Sequence, residues 1–423
     1  MSELAHGLLL QEQGRLEEAE SCFLSVLAGD PENAFVYSRL ALCQLSQEGR
    51  LTKALHSINE AIRIEADNGY FHSVKSLILS DLRHYKEALA AAGTAIALNP
   101  EDALALVTKA NAYCGMSRWA GAEEWSRRSL VVDSDHTMAA NILTHALRMQ
   151  GKSAENEVAV EQLLAADPEN SYAHTNAGWS ALQGKDHEAA EAHFREALRL
   201  DPSAEVARGG LIESFKARSR FYRLYLSYSF FMQRFTGGKQ WMIIIGLYVA
   251  YQIAGRLLEK ISPLLAGSLA LVWLGFVMWI WLAPGIGNFL ILLDRSARLA
   301  LKGTERRQGI AVGGAILAAL AAMAFAWGFG WTPAWVVGLG LLLSTVPASL
   351  AFDNESSAGR RVFGAMTGFV YLSIAVVAGL ESFRIAEAGF HPLSVGLGLA
   401  TLVVTVACTW MGNIPGLRQE KRT

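Results

Sequence analysis

Cysteine is scarce in this chain. Its 423 residues include four, Cys22, Cys43, Cys114 and Cys408, and no two stand at CxxC or CxxxC spacing. Neither a zinc site nor a disulfide framework is expected, and small buried residues in a reducing compartment are the plain reading. Strand patterns are missing too, so no glycine-rich loop can follow a strand, and nucleotide motifs are absent. In "HEAAEAH" (187–193) the two histidines stand six apart, where the zinc-protease pattern needs four, so no metal is expected there. No catalytic constellation emerges and no cofactor is expected. The first twenty residues lack a basic n-region and a cleavage site, which speaks against a secretory signal.

Charge is present but unevenly shared. Residues 1–204 carry 29 Asp and Glu against 17 Lys and Arg, a net of −12, and residues 205–423 carry 10 against 20, a net of +10. An acidic half joined to a basic, apolar half implies two different solvents and not one mixed core. Nucleic-acid binding fits poorly with so acidic a first half.

That first half repeats. Pro31, Pro100, Pro168 and Pro202 are spaced by 69, 68 and 34, with Ser134 in the intermediate slot. Ala19, Ala54, Ala88, Ala122 and Ala190 keep the same beat, with Asn156 in the missing place, and Phe23, Ile58, Ala92, Ser126, Val160 and Phe194 hold a third position. The clearest copy is "SYAHTNAGWSALQGKDHEAAEAHFREALRLDP" (171–202). With Gly178, Ala190, Phe194, Ala197 and Pro202 in register, it resembles the tetratricopeptide repeat family. The resemblance covers 1–204 as six copies and implies an α-solenoid of stacked helical hairpins that binds proteins or peptides. The physics agrees: small residues let two helices approach, Phe or an aliphatic fills the gap between hairpins, and Asp-Pro or Asn-Pro ends the second helix. Asn156 is a poor fit to its slot. Residues 204–217 are expected to form an end cap.

The second half contains six apolar stretches, 240–257, 263–283, 309–329, 333–352, 361–380 and 393–412, each near the roughly 20 residues that a spanning helix needs. Pro263, Pro333 and Pro392 stand near helix starts, Pro284 is expected to close the second span, and Pro347 to kink the fourth. The fold expected is all-α: a repeat solenoid followed by a six-helix transmembrane bundle. Lys216, Arg218, Arg220, Arg223, Arg234 and Lys239 precede the first span. Arg295, Arg298, Lys302, Arg306 and Arg307 fall between the second and third, Arg360 and Arg361 border the fifth, and Arg418, Lys421 and Arg422 follow the last. The alternate connections carry Arg256 and Lys260, then none, then Arg384. That asymmetry places both termini and the solenoid on the cytoplasmic side, with a bacterial inner membrane as the expected setting.

Between the halves lies "KARSRFYRLYLSYSFFMQRF" (216–235). It is too short and too charged to span. Its Arg220, Phe221, Tyr222, Arg223, Tyr225, Tyr228, Phe231 and Arg234 suit a helix lying in the headgroup region, rings at the boundary and arginines on anionic lipid. "TGGK" (236–239) offers a bend into the first span; a cap helix continuing directly into that span is the alternative. Residues 205–239 are therefore set apart from the membrane domain, 240–423. Residues 284–302 are expected to form a second amphipathic segment at the inner surface, with Ile286, Phe289, Leu290, Leu293, Ala297, Ala300 and Leu301 on its apolar face.

Ionisable groups are nearly absent from the six apolar cores, which weakens a proton-coupled transporter or an intramembrane hydrolase. Gln252 is the main polar residue of the first span, and "GIAVG" (309–313) and "GAMTG" (364–368) suit tight packing inside the bundle. The remaining candidate is the concave groove. The family resemblance implies that first-helix residues line it: Asn111, then Asn141, His145 and Arg148, then Tyr172, Thr175, Asn176 and Trp179. Asparagine can pair with both N–H and C=O of an extended peptide, and Trp179 and Tyr172 can anchor it; ordinary polar surface is the competing reading of several of these residues. Lysine pairs of the kind that clamp a terminal carboxylate are not evident. The expected function is a membrane-anchored adaptor for a protein or peptide partner, a basic one given the solenoid's acidity, with the bilayer as second partner. The alternative is transport or lipid-related activity in the bundle, regulated by the solenoid.

Overall fold

A computed structural model describes residues 2–235, 239–295, 297–352, 354, 356–383, 390–412, 414 and 417. Among these all regular structure is helical. Thr236, Gly237 and Gly238 of the expected bend, and Arg384, Arg418, Lys421 and Arg422, lie outside the described residues.

Twelve helices pair into six hairpins: α1 (Glu3–Glu12) with α2 (Leu16–Gly29), α3 (Ala34–Leu45) with α4 (Leu51–Ile64), and α5 (Gly69–Asp81) with α6 (Tyr85–Leu98). Then follow α7 (Ala103–Gly115) with α8 (Trp119–Val132), α9 (Thr137–Gln150) with α10 (Ser153–Ala166), and α11 (Ser171–Gln183) with α12 (His187–Leu200). The alanine beat is the reason. Ala19, Ala54, Ala88, Ala122 and Ala190 are fully buried, as are Phe23, Ile58, Ala92, Ser126 and Phe194. Burying each phenylalanine completely contributes about 1.5–3 kcal/mol. Asn156 is buried in the alanine slot and donates from Nδ2 to Ser180 Oγ at 2.9 Å, while its Oδ1 finds no partner among the described residues.

The turns inside hairpins repeat as well. Gly14, Gly49, Arg83, Ser117, Gly151 and Lys185 all adopt left-handed backbone, φ between 56° and 74°. Half of these are not glycine, so half of the hairpins carry a strained turn. Between hairpins, Asn33, Asn68, Asp102 and Asn170 cap the following helix by accepting from the N–H of Val36, Tyr70, Leu104 and Ala173.

The chain divides into two compact units. One comprises Met1–Gly184, Ala192–Ala204 and Gln233–Gly237, the other Lys185–Glu191, Glu205–Met232 and Gly238–Thr423. In the second unit α13 (Glu205–Lys216) and α14 (Arg220–Gln233) precede six long apolar helices. These are α15 (Lys239–Ile261), α16 (Pro263–Leu293), α17 (Gly303–Phe329), α18 (Pro333–Phe352), α19 (Ser357–Ser382) and α20 (Pro392–Met411), each long and apolar enough to cross a membrane.

Pro284 does not close the second of these. Helix α16 runs through it to Leu293, 31 residues in all. A proline inside a helix costs about 3 kcal/mol. Past it, however, the helix buries Asn288 and Ile291, and Ile291 packs with Ile212 and Phe215 of α13 and with Ala297. That burial offsets the loss. The expected separate amphipathic helix over 284–302 is therefore corrected: its first ten residues are the end of α16, and beyond Leu293 the described residues form a connection with one 3-10 turn, Arg298–Ala300.

Helices α16 and α17 approach closely because Gly309 and Gly313 have no side chains. A Cβ on Gly309 would stand 3.0 Å from the Asn288 backbone, and one on Gly313 2.1 Å from the Phe289 ring. Gly364 and Gly368 behave otherwise: both are exposed, and among the described residues no other element comes within 4 Å of where a Cβ would stand, so the expected tight packing of "GAMTG" is not seen there. Pro347 lies inside α18 and frees the Leu343 carbonyl, toward which Thr405 of α20 directs its hydroxyl at 3.4 Å.

Candidate functional site

The groove residues fall on α7, α9 and α11, the first helices of three consecutive hairpins. A regular stack brings successive first helices side by side, so residues about 34 apart in sequence become neighbours. Asn176 and Asn141 show it: Asn176 Nδ2 donates to the Asn141 carbonyl at 3.4 Å and to Thr144 Oγ1 at 2.9 Å.

Arg148 is the centre of the arrangement. It is 8% exposed, its Nη2 donates to Nδ1 of His145 at 3.0 Å, and its guanidinium carbon lies 5.7 Å from the centre of the Trp179 ring. On the other side His145 meets Trp119 edge to face, centroids 5.4 Å apart. Burial, reinforced by the Arg148 charge, pushes the His145 pKa down to about 4. Burial lowers Arg148 itself to about 10 and raises the nearby Cys114 thiol to about 11. His145 is thus a neutral ring accepting at Nδ1, with its own proton on Nε2.

Among the described residues, three polar atoms here are buried without a hydrogen-bond partner: Arg148 Nε, Trp119 Nε1 and Asn141 Oδ1. Buried polar groups are normally satisfied, and each orphan costs about 1–3 kcal/mol.

The structure brings Asn141, His145, Arg148, Asn176 and Trp179 together. Asn111 sits half-buried on α7. Thr175 is turned back into its own helix, donating to the Ser171 carbonyl at 2.9 Å. Tyr172 stands 69% exposed. Asn176 uses its Nδ2 to tie α11 to α9, so only its carbonyl oxygen remains for a ligand. Trp119 was not among the expected residues, because it opens a second helix and the groove pattern counts only first helices. Its signal is the large ring placed two residues after the left-handed Ser117.

The second set lies on α14. Tyr222, Leu226 and Phe230 form its buried stripe, while Arg220, Phe221, Phe231 and Arg234 are exposed and Arg223 is half-buried. Tyr225 and Tyr228 pack on Trp279 of α16, both with centroids 6.1 Å away, and Phe221 meets the same ring at 6.3 Å. Tyr222 is a correction to the headgroup set. It is 1% exposed, its hydroxyl donates to Glu213 at 2.8 Å, and its ring covers Gly287, where a Cβ would stand 2.9 Å away. A ring fixed by a carboxylate and a bare backbone has no face left for lipid. Arg234 lies over Gly151, 2.7 Å from where a Cβ would be.

Among α16, α17 and α18 a polar trio is buried. Asn288 Nδ2 donates to Gln308 Oε1 at 2.5 Å, and Gln308 Nε2 donates to Ser349 Oγ at 2.9 Å. Arg218 pairs with both Glu191 and Asp294, at 2.9 and 2.6 Å.

The tetratricopeptide repeat model matches residues 4–70, 75–136 and 145–205, and no family model matches the C-terminal part. No curated protein matches the chain. Solved structures similar to it include pilF of Pseudomonas aeruginosa, 18% identical, covering 49% of this chain and 94% of that one with a TM-score of 0.41. PilW, a type IV pilus biogenesis factor, is 16% identical over 49% of this chain and 96% of its own, TM-score 0.43. YrrB, a protein of the same repeat type with an unusual peptide-binding site, is 19% identical over 44% and 95%, TM-score 0.32. None of these likenesses carries an argument about what this chain binds.

Proposed function

From the premise that residues 4–205 belong to the tetratricopeptide repeat family, we propose that the chain is a membrane-anchored adaptor. On this reading the solenoid, residues 1–204, captures a protein or peptide on the cytoplasmic side, and residues 240–423 hold it at the bilayer. The observation that carries it is the convergence of Asn141, His145, Arg148 and Trp179 on one groove with polar atoms still unsatisfied.

The anchoring rests on length and polarity. At 1.5 Å per residue, α16 is about 46 Å long, against roughly 30 Å of hydrocarbon. The turns of α16 beyond Pro284 then emerge from the apolar layer, and the rings of α14 on Trp279 lie near its inner boundary. Basic residues support a cytoplasmic solenoid: Arg295, Arg298, Lys302, Arg306 and Arg307 join α16 to α17, whereas α17 and α18 join with none. A bacterial inner membrane is the setting we assign. Residues 205–239 serve as the linker in this scheme.

The test is crosslinking capture from intact membranes, comparing the native protein with Asn141→Ala/Trp179→Ala. A discrete protein captured by the native chain and lost in the variant supports the adaptor. Identical captures from both would refute the groove. A second reading, transport or lipid-related activity in the bundle, is favoured only by the Asn288–Gln308–Ser349 trio, and activity lost in Gln308→Leu with capture intact would support it.

A further inference from the structure

The groove's unsatisfied atoms are unequal in kind. Arg148 has five N–H bonds to offer, and one goes to His145. Trp119 Nε1–H is buried without an acceptor, and so is Arg148 Nε–H. With Nδ1 of His145 accepting, its Nε2–H is one more donor. Against these stands a single orphan acceptor, Asn141 Oδ1. Among the described residues no carboxylate pairs with Arg148, whereas the buried carboxylates of the same half have cations: Glu20 has Arg50, and Glu123 has Lys152 and Arg127. A guanidinium 8% exposed and without a counter-charge is costly to keep. Such a site is complete only when an acceptor-rich anion enters.

Resting on the adaptor reading, we infer that Arg148 receives an Asp or Glu side chain of the bound peptide, between the rings of Trp179 and His145. The groove therefore selects an acidic segment, opposite to the basic partner that the solenoid's overall charge suggests. Net charge acts at long range and is screened within about 8 Å at physiological salt, whereas a charge-assisted contact to a desolvated arginine acts at close range. The aromatic rings and Asn141 Oδ1 hold the adjoining backbone and side chains, so the carboxylate is one determinant within a wider contact.

The experiment uses the full chain in nanodiscs and fluorescent dodecapeptides with blocked ends, alternating Ala with Glu, Gln or Lys. The native protein is expected to prefer the Glu peptide over the Gln peptide by roughly 10- to 100-fold, the range for hydrogen bonds to a charged group. Arg148→Met is expected to abolish that preference while retaining Gln-peptide binding, and to raise the melting temperature by relieving the uncompensated charge. Equal affinity for Glu and Gln peptides would overturn the inference and leave the groove reading standing. So would an undiminished preference in Arg148→Met. A Gln peptide with a free C-terminal carboxylate that matches the Glu peptide would overturn the side-chain assignment. If Arg148→Met loses both peptides, Trp119→Phe decides: removing that one donor must weaken the Glu peptide severalfold and spare the Gln peptide, and no change would refute the site. Binding of neither peptide by the native protein overturns the inference, and the crosslinking capture then judges the groove separately.

Discussion

A β-carbon on Gly178 would stand 2.7 Å from Cε1 of Phe194. The two residues set the spacing of the last hairpin, since Phe194 is fully buried and cannot retreat. Gly178→Ala is expected to cost about 1–3 kcal/mol, the usual range for overpacking. Thermal melting of the full chain in nanodiscs checks it, and an unchanged midpoint would mean that the ring can move.

Ser117 offers the opposite case. Its φ of 56° is left-handed, and serine is not a residue type that favours that region. Ser117→Gly should stabilise the first unit by about 1 kcal/mol, the strain of a non-glycine residue in that region. Urea unfolding followed by circular dichroism measures the gain; Gly151→Ser, at a φ of 74°, should show the converse loss.

Acid should weaken the groove region through His145. Its folded pKa, about 4, lies below the ordinary 6.5. An imidazole with a depressed folded pKa is essentially neutral in both states well above 6.5, so nothing is lost there. As pH falls below 6.5 the unfolded chain takes up a proton that the folded chain refuses, and stability declines until about pH 4. At pH 5 the loss is about 2 kcal/mol. Denaturant unfolding at pH 7 and pH 5 should show that difference in the native protein and a smaller one in His145→Gln.

The polar trio gives a prediction for the bundle. Gln308→Leu strands the Asn288 amide among α16, α17 and α18, at a cost of about 1–2 kcal/mol. Asn288→Leu combined with Gln308→Leu should recover much of it, because no amide is left unpaired and only Ser349 loses a donor. A double-mutant cycle in detergent-induced unfolding reads the coupling; additivity would show that the two amides do not depend on each other.

Orientation is tested by labelling. In a background with the four cysteines replaced by alanine, a membrane-impermeant maleimide should reach Ser262→Cys from the outer face of intact cells and Ser357→Cys only after permeabilisation. The reverse pattern would invert the assigned topology.

What could be read from residues alone follows from range. The alanine beat and the proline slots are periodic, and Ala19, Ala54, Ala88, Ala122 and Ala190 are all fully buried. Long apolar runs are legible for the same reason: a helix's own residues decide its length. Arg83, Ser117 and Lys185 were illegible as left-handed turns, since their identities do not favour that backbone and only the fixed period requires it. Pro284 misled because a local rule predicts a stop, while the burial that carries α16 past it comes from Ile212 and Phe215, about seventy residues earlier. Tyr222 looked like a headgroup ring until Glu213 and Gly287 supplied its partners. In the groove, Asn141 and Arg148 were legible from register, but the surplus of donors was not, because it depends on which neighbours fail to arrive.

The fifth hairpin carries Asn156 in a slot that other copies fill with alanine, and Thr144 where the sixth has Gly178. Both larger groups lean on the next hairpin, through Ser180 and Asn176, and leave one amide oxygen unsatisfied. In a linear stack each hairpin transmits load only to its neighbours. The fifth is then the more compliant link of the stack, and it carries Asn141, His145 and Arg148 of the groove. Tension between a captured partner and the bilayer would be felt there first.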